Sequence, residues 1–166
     1  MPDSSVETKR FDVVFDCQAH STGKMRNDIT VRMVEPFVES FEMATDEGPF
    51  HGGDSSAPPP LAYFTAGLAG CIMTQLRAFA KRLRIPIDGV KVAARLHWEG
   101  EQVGRDPYVT APVGFSLDIE LDTEVSVDDQ LKLIAAAKKG CFIEQTLART
   151  NTVDHRLKVG DDWIEA

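Results

Sequence analysis

Three side chains in this 166-residue sequence carry thiols: Cys17, Cys71 and Cys141. Only a thiolate attacks an electrophile, so a cysteine's reactivity depends on what surrounds its sulfur. Cys71 lies one residue before Ile72 in an apolar stripe. Burial there raises a thiol pKa, so Cys71 reads as structural unless a nearby cation steadies its thiolate. Cys141 follows Gly140 at the start of a short helical pattern. Unpaired N–H groups and the helix dipole favour an anion at such a place, which lowers a thiol pKa. A core cysteine at a helix start fits the same residues. Cys17 closes a strand pattern and is expected to be a small buried hydrophobe. Cys71 and Cys141 can pair only if the fold brings their Cα atoms within about 7 Å, and spacing alone does not decide that. No C-x-x-C occurs, which excludes zinc ribbons and thioredoxin-type motifs. His20, His51, His97 and His155 are scattered, with no metal-ligand spacing among them, and read as non-ligands.

The elements that must position these thiols follow from periodicity. Phe11 to Cys17 is rich in β-formers and predicts a strand. His20 to Asp28 is a turn or loop by its Gly, Asn and Asp content. Ile29 to Val34 and Phe37 to Met43 alternate as half-buried strands, with Pro36 between them. Asp46 to Pro60, dense in Gly and Pro, is a loop of a length that often carries function. Leu61, Phe64, Leu68, Ile72, Leu76, Phe79 and Leu83 then recur at steps of three and four, which predicts a helix. Pro60 fits its first turn and Pro86 ends the segment. Such a helix is roughly 35 Å long at 1.5 Å per residue. It is apolar on nearly every side, the pattern of a buried helix. Val90 to Trp98 and Val113 to Leu121 alternate again, separated by a hairpin-like excursion over 99–112. A helix from Ser126 or Val127 to Lys138, broken by Gly140, precedes a short one from Cys141 to Ala148. Thr152 to Val159 is the last predicted strand. The order βββ–α–ββ–αα–β gives an α+β fold. Residues 1–10 are expected to be a flexible tail and 11–166 one domain.

Composition narrows the function classes. The net charge of −8, from 18 basic and 26 acidic residues, repels phosphate backbones. The cluster of Arg77 with Lys81, Arg82 and Arg84 reads as charge complementing a helix C-terminus, so no nucleic-acid partner is expected. No run of about 18 apolar residues occurs, and no membrane association is expected. The first residues lack the basic start and apolar stretch of a secretory signal. With an odd cysteine count, this leads to the expectation of a cytoplasmic protein without a disulfide framework.

Two motifs add a resemblance. The run Pro58-Pro59-Pro60-Leu61-Ala62-Tyr63-Phe64-Thr65-Ala66-Gly67-Leu68-Ala69-Gly70-Cys71 resembles the start of the long central helix of the OsmC/Ohr family. That helix begins at a proline and carries a cysteine about three turns in, after a run of small residues. Ala137-Lys138-Lys139-Gly140-Cys141-Phe142-Ile143 resembles the family's second hallmark, a helix end followed by the partner cysteine. The order of elements agrees over nearly the whole chain. The resemblance implies antiparallel sheets packed around the central helix, in an intertwined homodimer with two active sites at the subunit interface. It implies a hydroperoxide reductase, a peroxiredoxin-like antioxidant enzyme of the stress response. Cys71 would attack an organic hydroperoxide and become a sulfenic acid. Cys141 would resolve it to a disulfide, which an external dithiol reopens. No metal or bound cofactor is implied.

The family also uses an arginine that steadies the thiolate and a glutamate that holds the arginine. Gly23-Lys24-Met25-Arg26 resembles the arginine-bearing loop, which makes Arg26 the candidate and Lys24 and Arg32 the alternatives. The glutamate position is Leu61 here, a clear departure. Glu47, Asp54 or His51 from the preceding loop are the candidate substitutes. The same departure raises a second reading, a catalytically weakened relative that binds a small hydrophobic ligand in the apolar dimer cleft.

Overall fold

A computed structural model describes residues 7–166. The chain divides into two compact units, the first ending at Phe64 and the second spanning Thr65–Ala166. Most of the expected tail, residues 1–6, lies outside the described residues; residues 7–13 are exposed and belong to no strand or helix. Among the described residues no helix is long and apolar enough to cross a membrane.

The first unit holds an antiparallel sheet of β1 (Val14–Ser21), β2 (Asn27–Glu35) and β3 (Glu39–Thr45), in that order. Its register sets Cys17 opposite Val31 and Val31 opposite Phe41, with Ala19, Ile29 and Met43 in the next row. One face therefore collects Phe15, Cys17, Ala19, Ile29, Val31, Met33, Phe41 and Met43, since side chains alternate along each strand. Within this chain Phe15, Phe41 and Met43 on that face are exposed. Cys17 is exposed too, which corrects its expected burial. The apolar face is real, but Cys17 on it stays exposed among the described residues. β1 starts at Val14 rather than Phe11, because β2 ends at Glu35 and pairs no further.

The loop after β3 is organised by Asp46, which is 2% exposed. Its carboxylate accepts hydrogen bonds from Glu47 N at 2.9 Å, Ser56 N at 2.9 Å and Ser56 Oγ at 2.8 Å. Those bonds, led by the Ser56 pair, hold its pKa below the ordinary value of 3.8. Gly53 is required here, because a Cβ would overlap the Glu47 carbonyl. The loop includes a 3-10 turn, Pro49–His51. It leads into α1 (Pro60–Leu83), with Pro60 as the first helical residue as expected. Tyr63 Oη donates to Ala44 O at 2.9 Å and ties the helix start to the end of β3.

In the second unit α1 continues with a buried stripe of Leu68, Ile72, Leu76 and Ala80, a strict four-residue step. The helix is not buried all round: Leu61, Phe64 and Leu83 from the expected stripe are exposed. Ile72, Leu76 and Ala80 of the stripe join Ile85, Leu133, Ala137 and Cys141 in one core. α1 ends where Arg84 takes a left-handed φ of 56°. Ile85 N then bonds Ala80 O at 2.9 Å and Arg84 N bonds Lys81 O at 3.3 Å, the paired C-terminal cap that glycine normally supplies.

β4 (Gly89–Glu101) and β5 (Val109–Asp122) form a long antiparallel ribbon. Val90 faces Leu121, Val92 faces Ile119, Ala94 faces Leu117 and Leu96 faces Phe115, so the apolar faces coincide. Much of the expected excursion over 99–112 is strand, with a register shift at His97/Trp98 absorbing the change. α2 (Val127–Gly140) starts at Ser126, whose Oγ accepts from Asp129 N at 3.2 Å. Acidic Asp128 and Asp129 in its first turn and Lys138 and Lys139 in its last complement its dipole. α3 (Phe142–Leu147) follows directly. A hairpin of β6 (Arg156–Val159) and β7 (Asp162–Glu165) closes the chain; β7 has no counterpart in the sequence expectation. Its turn uses Gly160 at φ 62°.

Candidate active site

Gly140 does not break α2; it is the last helical residue. Its role is proximity. A Cβ at Gly140 would stand 2.5 Å from two ring carbons of Phe79, and one at Gly67 would meet Ile143 Cδ1 at 3.3 Å. Two missing side chains thus let the α2–α3 junction close onto α1. That approach brings Cys141 to Cys71, a half-buried residue one turn beyond Gly67.

Both residues are free thiols, and Cys141 is fully buried. Cys71 packs against the core cluster that contains Cys141, which makes the two thiols neighbours. Cys141 is also the N-cap of α3, and its Sγ accepts from Glu144 N at 3.5 Å. The sequence suggested that this position lowers its pKa. Instead burial pushes the thiol up to about 11, with the neighbouring Cys71 adding to the rise; the N–H groups of Glu144 and Ile143 oppose it and are outweighed. A six-residue helix supplies too little dipole to offset complete desolvation.

A cavity of about 460 Å³ is lined by Ile72, the residue after Cys71, and by Glu144, three residues after Cys141; neither cysteine is among its lining residues. Leu68, Ile72, Phe115, Leu117 and Ile119 form apolar wall, and Lys138 and Glu144 are the charged groups on it. Glu144 Oε2 is buried with no hydrogen-bond partner among the described residues. A buried acceptor left unpaired costs about 1–3 kcal/mol, so it calls for a reason. Sequence reasoning missed Glu144. The available signal was its spacing: Cys141-x-x-Glu144 matches the box that caps helix N-termini, with a thiol in place of a hydroxyl.

Arg26 ends the turn between β1 and β2, closed by Thr22 N donating to Arg26 O at 2.9 Å. Its Nε and a terminal nitrogen meet Asp28 Oδ1 at 3.1 and 3.0 Å. The other terminal nitrogen donates to Ser56 O at 3.3 Å and Ser56 Oγ at 3.0 Å. Ser56 Oγ in turn donates to buried Asp46, so the guanidinium is fixed from two sides. Among the described residues, neither anticipated carboxylate, Asp54 or Glu47, forms an ion pair with it. Asp54 pairs with Lys24 at 2.9 Å, and Glu47 lies 3.5 Å from His51. Asp28 is the carboxylate that meets the guanidinium. Arg26 and Asp28 also border an open hollow with His20 and Glu42 on the polar side of the sheet. Of the alternatives to Arg26, Lys24 is engaged with Asp54. Arg32 sits exposed in mid-β2 opposite Asp16 and Ser40. Leu61 is 53% exposed in the first turn of α1.

The class so defined is an α+β scaffold whose long helix presents one thiol to a second thiol at a helix–helix junction. The chain belongs to the OsmC-like family: residues 52–156, more than half of it, match the model of the OsmC-like protein. That match crosses the boundary between the two units. An OsmC-like hydroperoxide resistance protein from Jannaschia sp. CCS1 is 52% identical over 95% of this chain and 100% of its own, with a TM-score of 0.64. An OsmC-like protein from Mycoplasma pneumoniae, 20% identical, covers 86% of this chain and 89% of its own at a TM-score of 0.59. An organic hydroperoxide resistance protein OsmC from Legionella pneumophila, 16% identical, covers 84% and 91% at 0.57. These last two share the fold. No curated protein matches the chain.

Proposed function

We propose that this protein reduces organic hydroperoxides through a Cys71–Cys141 thiol cycle. The observation that carries this reading is that Cys71 packs against the core cluster holding Cys141, so the two free thiols are neighbours. In the first step the Cys71 thiolate attacks the outer peroxide oxygen. The O–O bond breaks, an alcohol leaves, and Cys71 becomes a sulfenic acid. Cys141 then attacks that sulfur, water leaves, and a disulfide forms. An external dithiol returns both thiols by exchange. The apolar wall of the cavity lined by Ile72 and Glu144 suits a hydrocarbon substituent on the peroxide. The 52% identity to a protein named for hydroperoxide resistance supports the same chemistry here. Arg26, held by Asp28 and Ser56, takes the part of the cation that steadies the Cys71 thiolate.

The working form is a homodimer, in the cytoplasm, serving the response to oxidative stress. The exposed apolar face of the β1–β3 sheet supports the dimer, because so many large apolar groups call for a partner surface. A second reading draws on Leu61. Its exposed apolar side chain replaces the family glutamate and makes the cleft fit for a small hydrophobic ligand without turnover.

Loss of an organic hydroperoxide in the presence of a dithiol, measured for the protein and for Cys71→Ser, separates the two. Turnover that vanishes in Cys71→Ser supports the enzyme. Equal slow rates for both would leave the binding reading.

A further inference from the structure

We propose that Glu144 is the proton acceptor for Cys141 when the Cys71–Cys141 disulfide closes. This rests on the reading of the two cysteines as a redox pair, and it adds a base that the cycle requires.

The resolving step needs Cys141 as a thiolate. Complete burial raises its pKa to about 11 and so keeps it largely protonated at pH 7. Unassisted attack would be limited by the small anionic fraction. Glu144 stands three residues after Cys141, at the position whose side chain leans back over the first turn toward the cap. Its backbone N–H already reaches the Cys141 sulfur at 3.5 Å. Its Oε2 is shielded from solvent and has no donor among the described residues. A carboxylate in an ordinary capping box spends that oxygen on the backbone N–H of the cap residue. Here the oxygen is available instead, and the cavity that Glu144 lines leaves room for the carboxylate to turn. The other charged group on that wall, Lys138, is a cation and cannot accept a proton.

The step balances within the site. Glu144 takes the proton from Cys141 as its sulfur attacks Cys71. The S–S bond forms, the S–O bond of the sulfenic acid breaks, and the departing hydroxide takes the proton from Glu144 to leave as water. Cys141 is oxidised, the Cys71 sulfur is reduced to the disulfide level, and Glu144 ends as it began.

The test avoids dependence on peroxide chemistry. The full chain carrying Cys17→Ser, to remove the exposed thiol, is mixed with an aromatic disulfide whose released thiolate is coloured. Cys71 releases one thiolate by forming a mixed disulfide, and Cys141 releases a second by displacing it. Glu144→Gln is expected to leave the first release unchanged and to slow the second about 10²-fold near pH 7. The rate of that second release should climb with pH in Glu144→Gln, as hydroxide replaces the lost base, and stay flatter in the parent. Glu144→Asp should restore most of the rate, which a purely structural role would not require. Identical second releases and pH profiles in the parent and Glu144→Gln, at equal melting temperatures, would overturn the proposal, as would no second release in the parent. A parallel arm with an organic hydroperoxide separates the two claims. Glu144-dependent closure without peroxide reaction would sink the peroxidase reading alone; peroxide reaction with Glu144-independent closure would sink this one alone.

Discussion

Arg26 shows how a guanidinium can be held by neighbours other than the residue expected to hold it. Leu61 cannot pair with a guanidinium, yet Arg26 is gripped by Asp28 and by Ser56, which buried Asp46 backs. Asp28 could not be singled out from sequence, because it reads there as one more polar residue at the end of the turn from His20, whereas the structure has it in β2. The two candidate thiols were legible by type, and Cys141 by its place after Gly140. Their contact was not, since it depends on how closely two helices approach. Nor was the balance at Cys141, where the sequence displays the helix start and conceals the burial that outweighs it. Asp28→Asn keeps the size but removes the charge that orients Arg26. It should slow oxidation of Cys71 by an organic hydroperoxide about 10- to 100-fold in stopped-flow measurements. An unchanged rate would show that Asp28 does not matter to Cys71. Asp46 adds a pH dependence. Its depressed pKa means its contribution to stability is present above the unfolded value of 3.8 and is lost as pH falls through the lower folded value. Hydrogen exchange in the loop over 46–58 should therefore rise selectively below about pH 4.

At the scale of elements, the α1 pattern was the clearest signal in the sequence. Steps of three and four between Leu61 and Leu83, bounded by Pro60 and Pro86, gave both ends to within a residue. The β4–β5 ribbon was read short, because Gly100, Gly104, Pro107 and Pro112 look like loop residues, whereas Gly100 and Pro112 lie within the strands. The β6–β7 hairpin was half seen; Gly160 and Asp161 form the turn, but four-residue strands leave little periodicity to detect. Gly140 was noticed for the wrong reason. It is a contact glycine, set against the Phe79 ring. Gly140→Ala should therefore overpack the junction and cost about 1–3 kcal/mol in denaturant unfolding, with slower Cys71–Cys141 closure. A loss no larger than that of an exposed glycine replacement would contradict this packing role.

At the scale of the molecule, the sequence predicted a helix buried on nearly all sides, while this chain buries only the Leu68–Ile72–Leu76–Ala80 stripe. Leu61, Phe64 and Leu83 on α1, together with Phe15, Phe41 and Met43 on the β1–β3 sheet, stay exposed within one chain. Such a distribution is expected of a protomer whose core is completed by a second copy. Phe41→Glu, which places a charge in mid-face, should shift sedimentation equilibrium toward monomer. A dimer of undiminished affinity would show that this face is not the contact.

The central claim, that Cys71 and Cys141 form a peroxide-driven redox pair, is most directly tested by single turnover. Reduced protein receives one equivalent of an organic hydroperoxide without any dithiol, and its intact mass and peptide map are read. The expected result is loss of two hydrogens, with one disulfide linking the Cys71 and Cys141 peptides and Cys17 still reduced. An unchanged mass, or a disulfide that engages Cys17 instead, would contradict it.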